Sequence, residues 1–330
     1  MERVVLIGAG GFGECWREPL ESVSDQLTVI GIVDPDPEAR SGGRRHYGLG
    51  PDAAVAELED ELSAWKPTIV IDSSPFPHRS GNVGKAFAAG ADVLAAKPLG
   101  VSLEQARHMV TAAASARREL VVAQQMRYFP CFLALRDLIT GGRLGRLRAV
   151  RIRMALDGRG WEPGTHWRLG LEQPLLHEAG IHHFDLMRWV LSSELTLGSL
   201  VSWNPPWSPF TGDATVTGLL RTAENVPVVY EATFAPAEDA EGVRFDSGWE
   251  IVTDQATVRV DNGGLFLDGR PVEGVAVQDE PVPLEVLNTS LLHTWLTCRQ
   301  QGTSPPFTGE DNLRSMALLD RALELAGAGT

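Results

Sequence analysis

The chain has 330 residues, of which 43% are hydrophobic and 22% are charged, a composition typical of a globular protein with room for two domains. Its net charge of −14 argues against nucleic acid or an anionic membrane as the main partner, although it does not exclude a locally basic pocket. The first strand starts too early for a secretory signal, and no apolar run approaches the roughly 20 residues of a membrane helix. The only cysteines, Cys15, Cys131 and Cys298, indicate neither a disulfide framework nor a zinc knuckle. We therefore expect a cytoplasmic protein.

A glycine motif follows the first predicted strand. Residues 4–7 are an apolar run typical of a strand buried on both faces. The next residues have the G-x-G-x-x-G spacing: Gly8 permits a tight turn, Gly10 lets the backbone approach a pyrophosphate, and Gly13 lets the next helix pack closely. That helix, predicted from about Phe12, would direct N–H groups at the phosphates. The residues expected to bind a dinucleotide here are Gly8, Gly10, Gly11, Phe12 and Gly13.

Asp34 ends a second predicted strand, residues 28–33. Its carboxylate is placed to accept hydrogen bonds from the adenosine ribose of NAD, and it would repel the 2′-phosphate of NADP. Alternatively, Asp34 is only a turn residue before Pro35. Three arginines nearby could weaken the preference for NAD, so NADP stays possible: Arg40, Arg44 and Arg45.

The following segments alternate between helix and strand, which predicts a doubly wound parallel sheet. We predict helices over residues 53–62 and 78–89 and another from Ser102, with strands over residues 68–71, 92–96 and 120–123. Ligands bind outside the carboxyl ends of such strands, so the loop 72–78 should face the cofactor. Its expected contacts are Ser73, Ser74, Pro75 and His78, although His78 by itself is typical of a helix start. Lys97 follows the strand 92–96 and, without context, is simply a lysine at a strand end.

Helical spacing over residues 175–191 places four side chains on one face: Glu178, His182, Asp185 and Trp189. A carboxylate one turn from His182 can fix the tautomer of the imidazole and raise its basicity, so that the ring accepts a proton from an alcohol. Taken alone, such a pair is more often found on a surface or in a core. The zinc motif His-Glu-x-x-His is absent because its second histidine is replaced by Ile181, and we expect no metal site.

The loop before this helix, residues 160–168, mixes tryptophans with polar groups. Such a loop suits stacking on a sugar ring, or it is an ordered surface loop packed by its own aromatics. Alternate arginines over residues 146–153 predict one solvated or interface face of a strand rather than a phosphate site. Further strands are predicted over residues 215–221, 226–234, 249–252, 256–260 and 265–268, followed by a helix over 287–300.

Taken together, the chain resembles the Gfo/Idh/MocA oxidoreductases, which include glucose–fructose oxidoreductase and inositol dehydrogenase. The motifs that carry the resemblance occur in family order: Gly8 to Gly13, Asp34, Ser74-Pro75-Phe76-Pro77-His78, Ala95-Ala96-Lys97-Pro98-Leu99, residues 125–130, residues 142–147 and Gly180-Ile181-His182-His183-Phe184-Asp185. The resemblance implies a Rossmann domain, residues 1–122, and an α+β domain with an open, mostly antiparallel sheet, residues 123–330. The active site would lie between them.

The resemblance also implies roles for single residues. Lys97 and His182 match the family's catalytic lysine and histidine, and Glu178 matches the acidic residue that completes the site. Lys97 is also an expected contact of the cofactor. Lys97 would then hydrogen-bond the substrate oxygen and stabilise developing negative charge. The expected substrate contacts are Arg127, Trp167, Arg168 and Asp185, although Asp185 alternatively serves only the packing of its helix.

Three departures from the family pattern prevent a substrate from being copied from a known member. Ala96 replaces the glutamate of the family's Glu-Lys-Pro motif, which removes a charge beside Lys97. Glu172, Gln173 and Pro174 replace three glycines and should reshape the pocket. Glu178 replaces the commoner aspartate.

The sequence therefore predicts an NAD(P)-dependent oxidoreductase acting on a secondary alcohol or ketone of a sugar, polyol or related small molecule. The alternatives are a glycosidase or lyase that uses tightly bound NAD transiently, and a non-catalytic regulator that binds the dinucleotide and a partner protein. Because family members often cover the open sheet by pairing, we expect a homodimer or homotetramer.

Overall fold

A computed structural model of the chain describes residues 1–160, 167–238 and 240–327. Contacts within these residues define two units, Met1–Gln125 with Pro283–Met316 and Met126–Val282 with Ala317–Thr330. The division of the chain between residues 122 and 123 stays a prediction. It assigned residues 283–316 to the second domain, whereas their contacts place them with the first unit.

The first unit contains a six-stranded parallel sheet in the order β3-β2-β1-β4-β5-β6. Its strands are β1 Glu2–Ile7, β2 Leu27–Val33, β3 Ala54–Val55, β4 Ile69–Asp72, β5 Asp92–Ala95 and β6 Leu120–Val122. The central strands are β-branched and aliphatic runs that are buried on both faces, as a sheet covered by helices on each side requires. The helices between them are α1 Arg17–Glu21, α2 Pro37–His46, α3 Glu61–Trp65, α4 Phe76–Ala88 and α5 Leu103–Ala116. The Rossmann-type fold predicted for this region is confirmed.

The helix predicted over residues 53–62 is wrong. A 3₁₀ turn, Pro51–Ala53, leads into β3, which pairs with the end of β2 and forms the edge of the sheet. Only the last residues of the segment are helical, at the start of α3. Pairing with β2 is a long-range contact, and it outweighs the local helix propensity of the alanine, glutamate and leucine residues here.

The second unit contains an eight-stranded sheet in the order β14-β13-β12-β11-β7-β10-β9-β8. All neighbours are antiparallel except β7 and β10, so the predicted mostly antiparallel sheet is confirmed. Its strands are β7 Leu147–Ala155, β8 Leu195–Trp203, β9 Thr215–Thr222, β10 Pro227–Thr233, β11 Trp249–Thr253, β12 Thr257–Asp261, β13 Gly264–Leu267 and β14 Arg270–Pro271. Along β7 the side chains alternate, with Ile152 buried and Arg151 and Arg153 exposed on the opposite face.

The remaining helices are α6 Pro130–Thr140, α7 Ile181–Leu191, α8 Leu284–Gln301 and α9 Gly309–Gly327. Helix α8 packs in the first unit, where the buried indole of Trp295 donates a 2.7 Å hydrogen bond to Glu119, the residue before β6. Arg299 donates to Asp92 at the start of β5 and to Glu2 at the start of β1. Among the residues that the structure describes, no helix is long and apolar enough to span a membrane.

Candidate active site

The glycine motif forms a closely packed loop after β1. Gly8 has φ +81°, and a Cβ placed on Gly13 would lie 2.0 Å from the carbonyl oxygen of Gly8, so neither position accommodates a side chain without displacing the loop. The segment after Gly10 begins as a 3₁₀ helix, Gly11–Trp16, and continues as α1 to Glu21. The predicted helix is therefore present, and it ends soon after Pro19.

Asp34 binds the glycine loop through its carboxylate. Oδ2 accepts hydrogen bonds from the amides of Ala9 at 2.7 Å and Gly10 at 3.1 Å, while Oδ1 accepts from the amide of Asp36 at 2.9 Å. Arg40 donates to the carbonyl oxygen of Asp34 at 2.6 Å rather than to its carboxylate. Asp34 is thus a turn residue as well as a loop anchor, and its contact with a ribose stays a prediction.

These features fit a dinucleotide. The loop has side-chain-free positions where a phosphate would approach, and a carboxylate stands beside it at the end of β2. The residues that would hold the cofactor are Gly8, Gly10, Gly11, Phe12, Gly13 and Asp34.

The loop after β4 is bonded to the glycine loop. Ser73 donates from its amide to the carbonyl of Ile7 at 2.7 Å, and its hydroxyl accepts from the indole of Trp16 at 3.0 Å. Ser74 donates from its amide and hydroxyl to Asp72 Oδ1, at 2.9 and 2.5 Å. Ser73 and Ser74 therefore lie at the sheet edge where the cofactor was expected.

Helix α4 begins just after this loop. Pro75 is its N-cap residue, and the exposed His78 lies in its first turn, with its amide donating to the carbonyl of Pro75 at 3.0 Å. This position favours the interpretation of His78 as a helix-start residue, and its contact with the cofactor stays a prediction.

Lys97 follows β5 and is half-buried, in a loop that contains a cis Lys97-Pro98 peptide bond. Ala96 donates its amide to the carbonyl of Asp72 at 2.8 Å, which extends the pairing of β5 with β4. Because all six strands are parallel, the loops after β1, β2, β4 and β5 meet at one edge of the sheet, the edge formed by the carboxyl ends of the strands. Lys97 thus lies at the same edge as the glycine loop and Asp34.

In the second unit, the helix predicted over residues 175–191 is present, but it begins with a π turn, Leu176–Gly180, before α7. A π turn holds an extra residue, so side chains before and after it do not keep regular α-helical spacing. Glu178 lies in the π turn, and its Oε2 is 2.8 Å from Nε of Arg168. His182 is buried in α7, and its ring is nearly perpendicular to that of Phe245, at a centroid distance of 5.7 Å. The expected orientation of His182 by Glu178 stays a prediction.

Arg127 and Asp185 form a buried bidentate ion pair. Nε and Nη2 of Arg127 donate to the two carboxylate oxygens of Asp185 at 2.7 and 2.6 Å. This contact joins the turn at Arg127 to the helix that carries His182. It favours the packing interpretation of Asp185, and a contact of either residue with substrate stays a prediction.

His183, the neighbour of His182, has a structural environment that the sequence did not indicate. Its ring stacks on Phe245 at 4.3 Å, and Nδ1 lies 2.8 Å from the hydroxyl of Tyr230. Burial lowers the pKa of His183 to about 3, so this imidazole is neutral at physiological pH. Of the two adjacent histidines, His183 therefore serves the core.

Residues 172–174, which stand where the family has three glycines, are hydrogen-bonded to the loop that contains Gly212 and Asp213. The amide of Asp213 donates to the carbonyl of Glu172 at 2.9 Å, and the side-chain amide of Gln173 donates to the Asp213 carboxylate at 3.2 Å. A Cβ placed on Gly212 would lie 2.0 Å from that same carbonyl of Glu172. The tryptophan-rich part of the preceding loop, residues 161–166, lies outside the described residues, and Trp167 begins a 3₁₀ turn, Trp167–Gly170.

A Rossmann unit with a glycine loop and an acidic residue directly after β2, together with a mostly antiparallel α+β unit, is the architecture of a two-domain NAD(P)-dependent oxidoreductase. Residues 2–124 match the model of the oxidoreductase family with an NAD-binding Rossmann fold, and residues 132–259 match the GFO/IDH/MocA C-terminal domain. The chain belongs to the Gfo/Idh/MocA family, whose members act on CH–OH groups with a nicotinamide cofactor.

Two relatives are similar along almost the whole chain. An uncharacterised protein, y4oX of Sinorhizobium fredii, is 28% identical over 99% of this chain and 94% of its own. The D-apiose dehydrogenase of Paraburkholderia graminis is 24% identical over 96% of this chain and 85% of its own.

A similar fold is found in the crystal structure of an oxidoreductase from Agrobacterium radiobacter in complex with NAD⁺, L-tartaric acid and magnesium. The two chains superimpose with a TM-score of 0.84 at 20% identity, over 100% of this chain and 97% of the other. At this identity the likeness concerns the fold.

Proposed function

We propose that the protein transfers hydride between NAD and a secondary alcohol or ketone of a sugar, polyol or related small molecule. The observation that carries the proposal is the placement of Lys97 at the same sheet edge as the glycine loop and Asp34. The similarity to D-apiose dehydrogenase supports a sugar-like substrate. NADP stays possible as the cofactor.

In this proposal, NAD held by the glycine loop and Asp34 would supply the capacity to exchange a hydride with the substrate carbon. Lys97 donates a hydrogen bond to the substrate oxygen and stabilises the negative charge that develops there. His182 takes the hydroxyl proton as the ketone forms and returns it in the reverse direction. Glu178, in the π turn before α7, forms an ion pair with Arg168, so the two charges offset each other.

Cofactor binding and a substrate panel test the proposal. Purified protein is titrated with NADH and NADPH by nucleotide fluorescence, then assayed with aldoses, polyols and sugar acids for a change in nicotinamide absorbance. The proposal is supported if nicotinamide is reduced or oxidised as the substrate is converted. Substrate turnover without net cofactor change selects a transiently redox-active glycosidase or lyase, and failure to bind either nucleotide rejects all of these activities.

Lys97→Met separates the proposed catalytic role from a structural one. Loss of a group that stabilises the transition state typically lowers the rate about 10²- to 10³-fold. We expect such a fall in kcat, with NADH affinity and thermal midpoint close to those of the wild type. Unchanged kcat in this variant would contradict the role of Lys97.

We also propose that the protein pairs through the exposed face of its eight-stranded sheet, as a homodimer or homotetramer. Val201, Trp203 and Leu219 are 64%, 43% and 53% exposed on this face, although large apolar side chains are usually covered. Beside them is a groove of about 260 Å³ whose lining includes Arg153 and Glu231. Leu219→Glu should lower the molecular mass measured by analytical ultracentrifugation, and an unchanged mass would contradict this surface.

A cytoplasmic location is proposed as well. The location is supported by the three cysteines, which are free, as is usual for proteins in a reducing compartment. Fractionation of cells that produce the full chain tests it.

A further inference from the structure

The loop that carries Lys97 is fixed at the residue before the lysine and at the residue after it. On the amino side, the amide of Ala96 donates to the carbonyl of Asp72 at 2.8 Å. On the carboxyl side, Nη1 of Arg79 donates to the carbonyl of Pro98. The main chain of Lys97 therefore lies between two attachments to the β4–α4 segment, and a change in either one alters the path of the lysine backbone.

Arg79 is a buried residue in the first turn of α4, and it joins two loops at once. Its Nη2 donates to the carbonyl of Ser74, in the loop expected to contact the cofactor, while its Nη1 reaches Pro98. A guanidinium is planar, so its donors hold two acceptors at a fixed separation. One side chain thus sets the distance between the loop after β4 and the loop after β5.

The positive charge of Arg79 acts on the fully buried carboxyl group of Asp72. Burial raises the pKa of Asp72, and the charge of Arg79 together with hydrogen bonds from Ser74 opposes that rise. A buried arginine is tolerated when a buried acid accompanies it. In this chain the family's glutamate before the lysine is Ala96, a neutral and buried residue. The buried acid near the lysine loop is instead Asp72 at the end of β4, and Arg79 on α4 acts on it electrostatically.

We propose that Arg79 is a positioning residue for hydride transfer, which holds Lys97 in its reactive place by binding the carbonyls of Ser74 and Pro98. The proposal rests on the proposed function of Lys97 but goes beyond it, because Arg79 itself need not touch substrate or cofactor. A displacement of a catalytic group by about 1 Å can lower a rate about 10²-fold.

The kinetic test uses Arg79→Met, which keeps the length of the side chain and removes its donors. We expect kcat to fall by about 10- to 100-fold, while the KM for substrate and the affinity for NADH change less than about threefold. Arg79→Lys, which retains one charged donor, should recover part of the lost kcat. Because Arg79→Met removes the charge that opposes the raised pKa of the buried Asp72, the double variant Asp72→Asn/Arg79→Met is measured as well. It should regain stability but not kcat.

Arg299→Met is the matched control. Arg299 also bridges strands of the parallel sheet, by binding Asp92, Glu119 and Glu2, but at the opposite edge, where the strands begin. We expect this variant to lose stability and keep its kcat. An equal fall of kcat in both variants would show that the effect is only a general loosening of the sheet, and the proposal would then be wrong.

Hydrogen exchange provides a readout that does not depend on turnover. In Arg79→Met, the amides of Ala96, Lys97, Leu99 and Gly100 should exchange at least about tenfold faster than in the wild type, while those of β1 keep their rates. If the wild type shows no activity on the panel, the proposed function fails, and exchange still decides whether Arg79 fixes the Lys97 loop. Unchanged exchange, or a loss of NADH affinity without a loss of kcat, would overturn the proposal.

Discussion

Nε of Arg168 lies 2.8 Å from the carboxylate of Glu178, the acidic residue at the position expected to orient His182. The side chains are 29% and 12% exposed, so the pair is in contact with solvent and its net effect on stability is within about 1 kcal/mol. Its importance would lie in orientation, since Arg168 fixes one side of the carboxylate that the sequence predicts to orient the imidazole of His182.

Arg168→Gln is therefore expected to lower kcat/KM by about tenfold through loss of this orientation, while the thermal midpoint stays nearly constant. Arg168→Lys should give an intermediate value. Steady-state kinetics and a melting curve measure both effects. A variant with wild-type kcat/KM would show that Glu178 does not depend on Arg168.

Asp34→Ser should shift cofactor preference. The variant removes the carboxylate that accepts from the amides of Ala9 and Gly10, and it removes the charge that would repel a 2′-phosphate. We expect about tenfold weaker binding of NADH and tighter binding of NADPH, measured by nucleotide fluorescence. Asp36→Ala, which removes the N-cap bond to Glu38 of α2, is the control and should leave the ratio of the two affinities unchanged.

The Arg127–Asp185 pair should contribute to stability as a unit. Both side chains are buried, so Arg127→Met alone leaves an uncompensated carboxylate and is expected to lower the free energy of unfolding by about 3–5 kcal/mol. Arg127→Met/Asp185→Leu should be more stable than either single variant. Urea denaturation of the wild type, Arg127→Met, Asp185→Leu and the double variant gives the coupling energy. Additive effects of the two substitutions would contradict the conclusion that the pair acts as a unit.

His183 should make stability depend on pH. The ring has a pKa of about 3 in the folded protein and about 6.5 when unfolded, so between these values the unfolded chain binds the extra proton. The free energy of unfolding should thus fall as the pH decreases from about 6.5 toward 3, by up to about 1.4 kcal/mol per pH unit from this group. His183→Phe/Tyr230→Phe keeps the stacking on Phe245 and removes the titrating ring. Urea midpoints at several pH values should show a shallower decrease for the double variant, and identical curves would exclude His183 as the cause.

The parallel strands were predictable because their signal is local. Each is a short run of apolar residues followed by a turn, and residues 4–7 already identify β1. The segment 53–62 was predicted wrongly because β3 forms by pairing with a strand some twenty residues earlier, which local propensity does not contain. The π turn before α7 was not predictable either, since the sequence of residues 175–191 has the pattern of a regular α-helix, which the structure interrupts.

For the site residues as well, local motifs were predictable from the sequence and long-range contacts were not. The motifs identified Lys97, His182 and Asp185 as chemistry-bearing positions, but they did not reveal that Arg127, 58 residues from Asp185 in sequence, is its partner. Arg79 gave no signal beyond a charged residue near a helix start. Only the folded chain shows its side chain directed inward, with donors on the carbonyls of Ser74 and Pro98.

The first unit is discontinuous in sequence, and this has a consequence for biosynthesis. Trp295 and Arg299 complete the packing and charge balance around β1, β5 and the residue before β6, yet they follow the whole second-unit segment Met126–Val282 in the chain. A ribosome therefore releases the strands of the parallel sheet long before α8, whose side chains bind Glu2, Asp92 and Glu119. Until α8 emerges, the nascent Rossmann sheet exposes the surface beneath Trp295, so this is the interval in which a chaperone would shield the chain from aggregation.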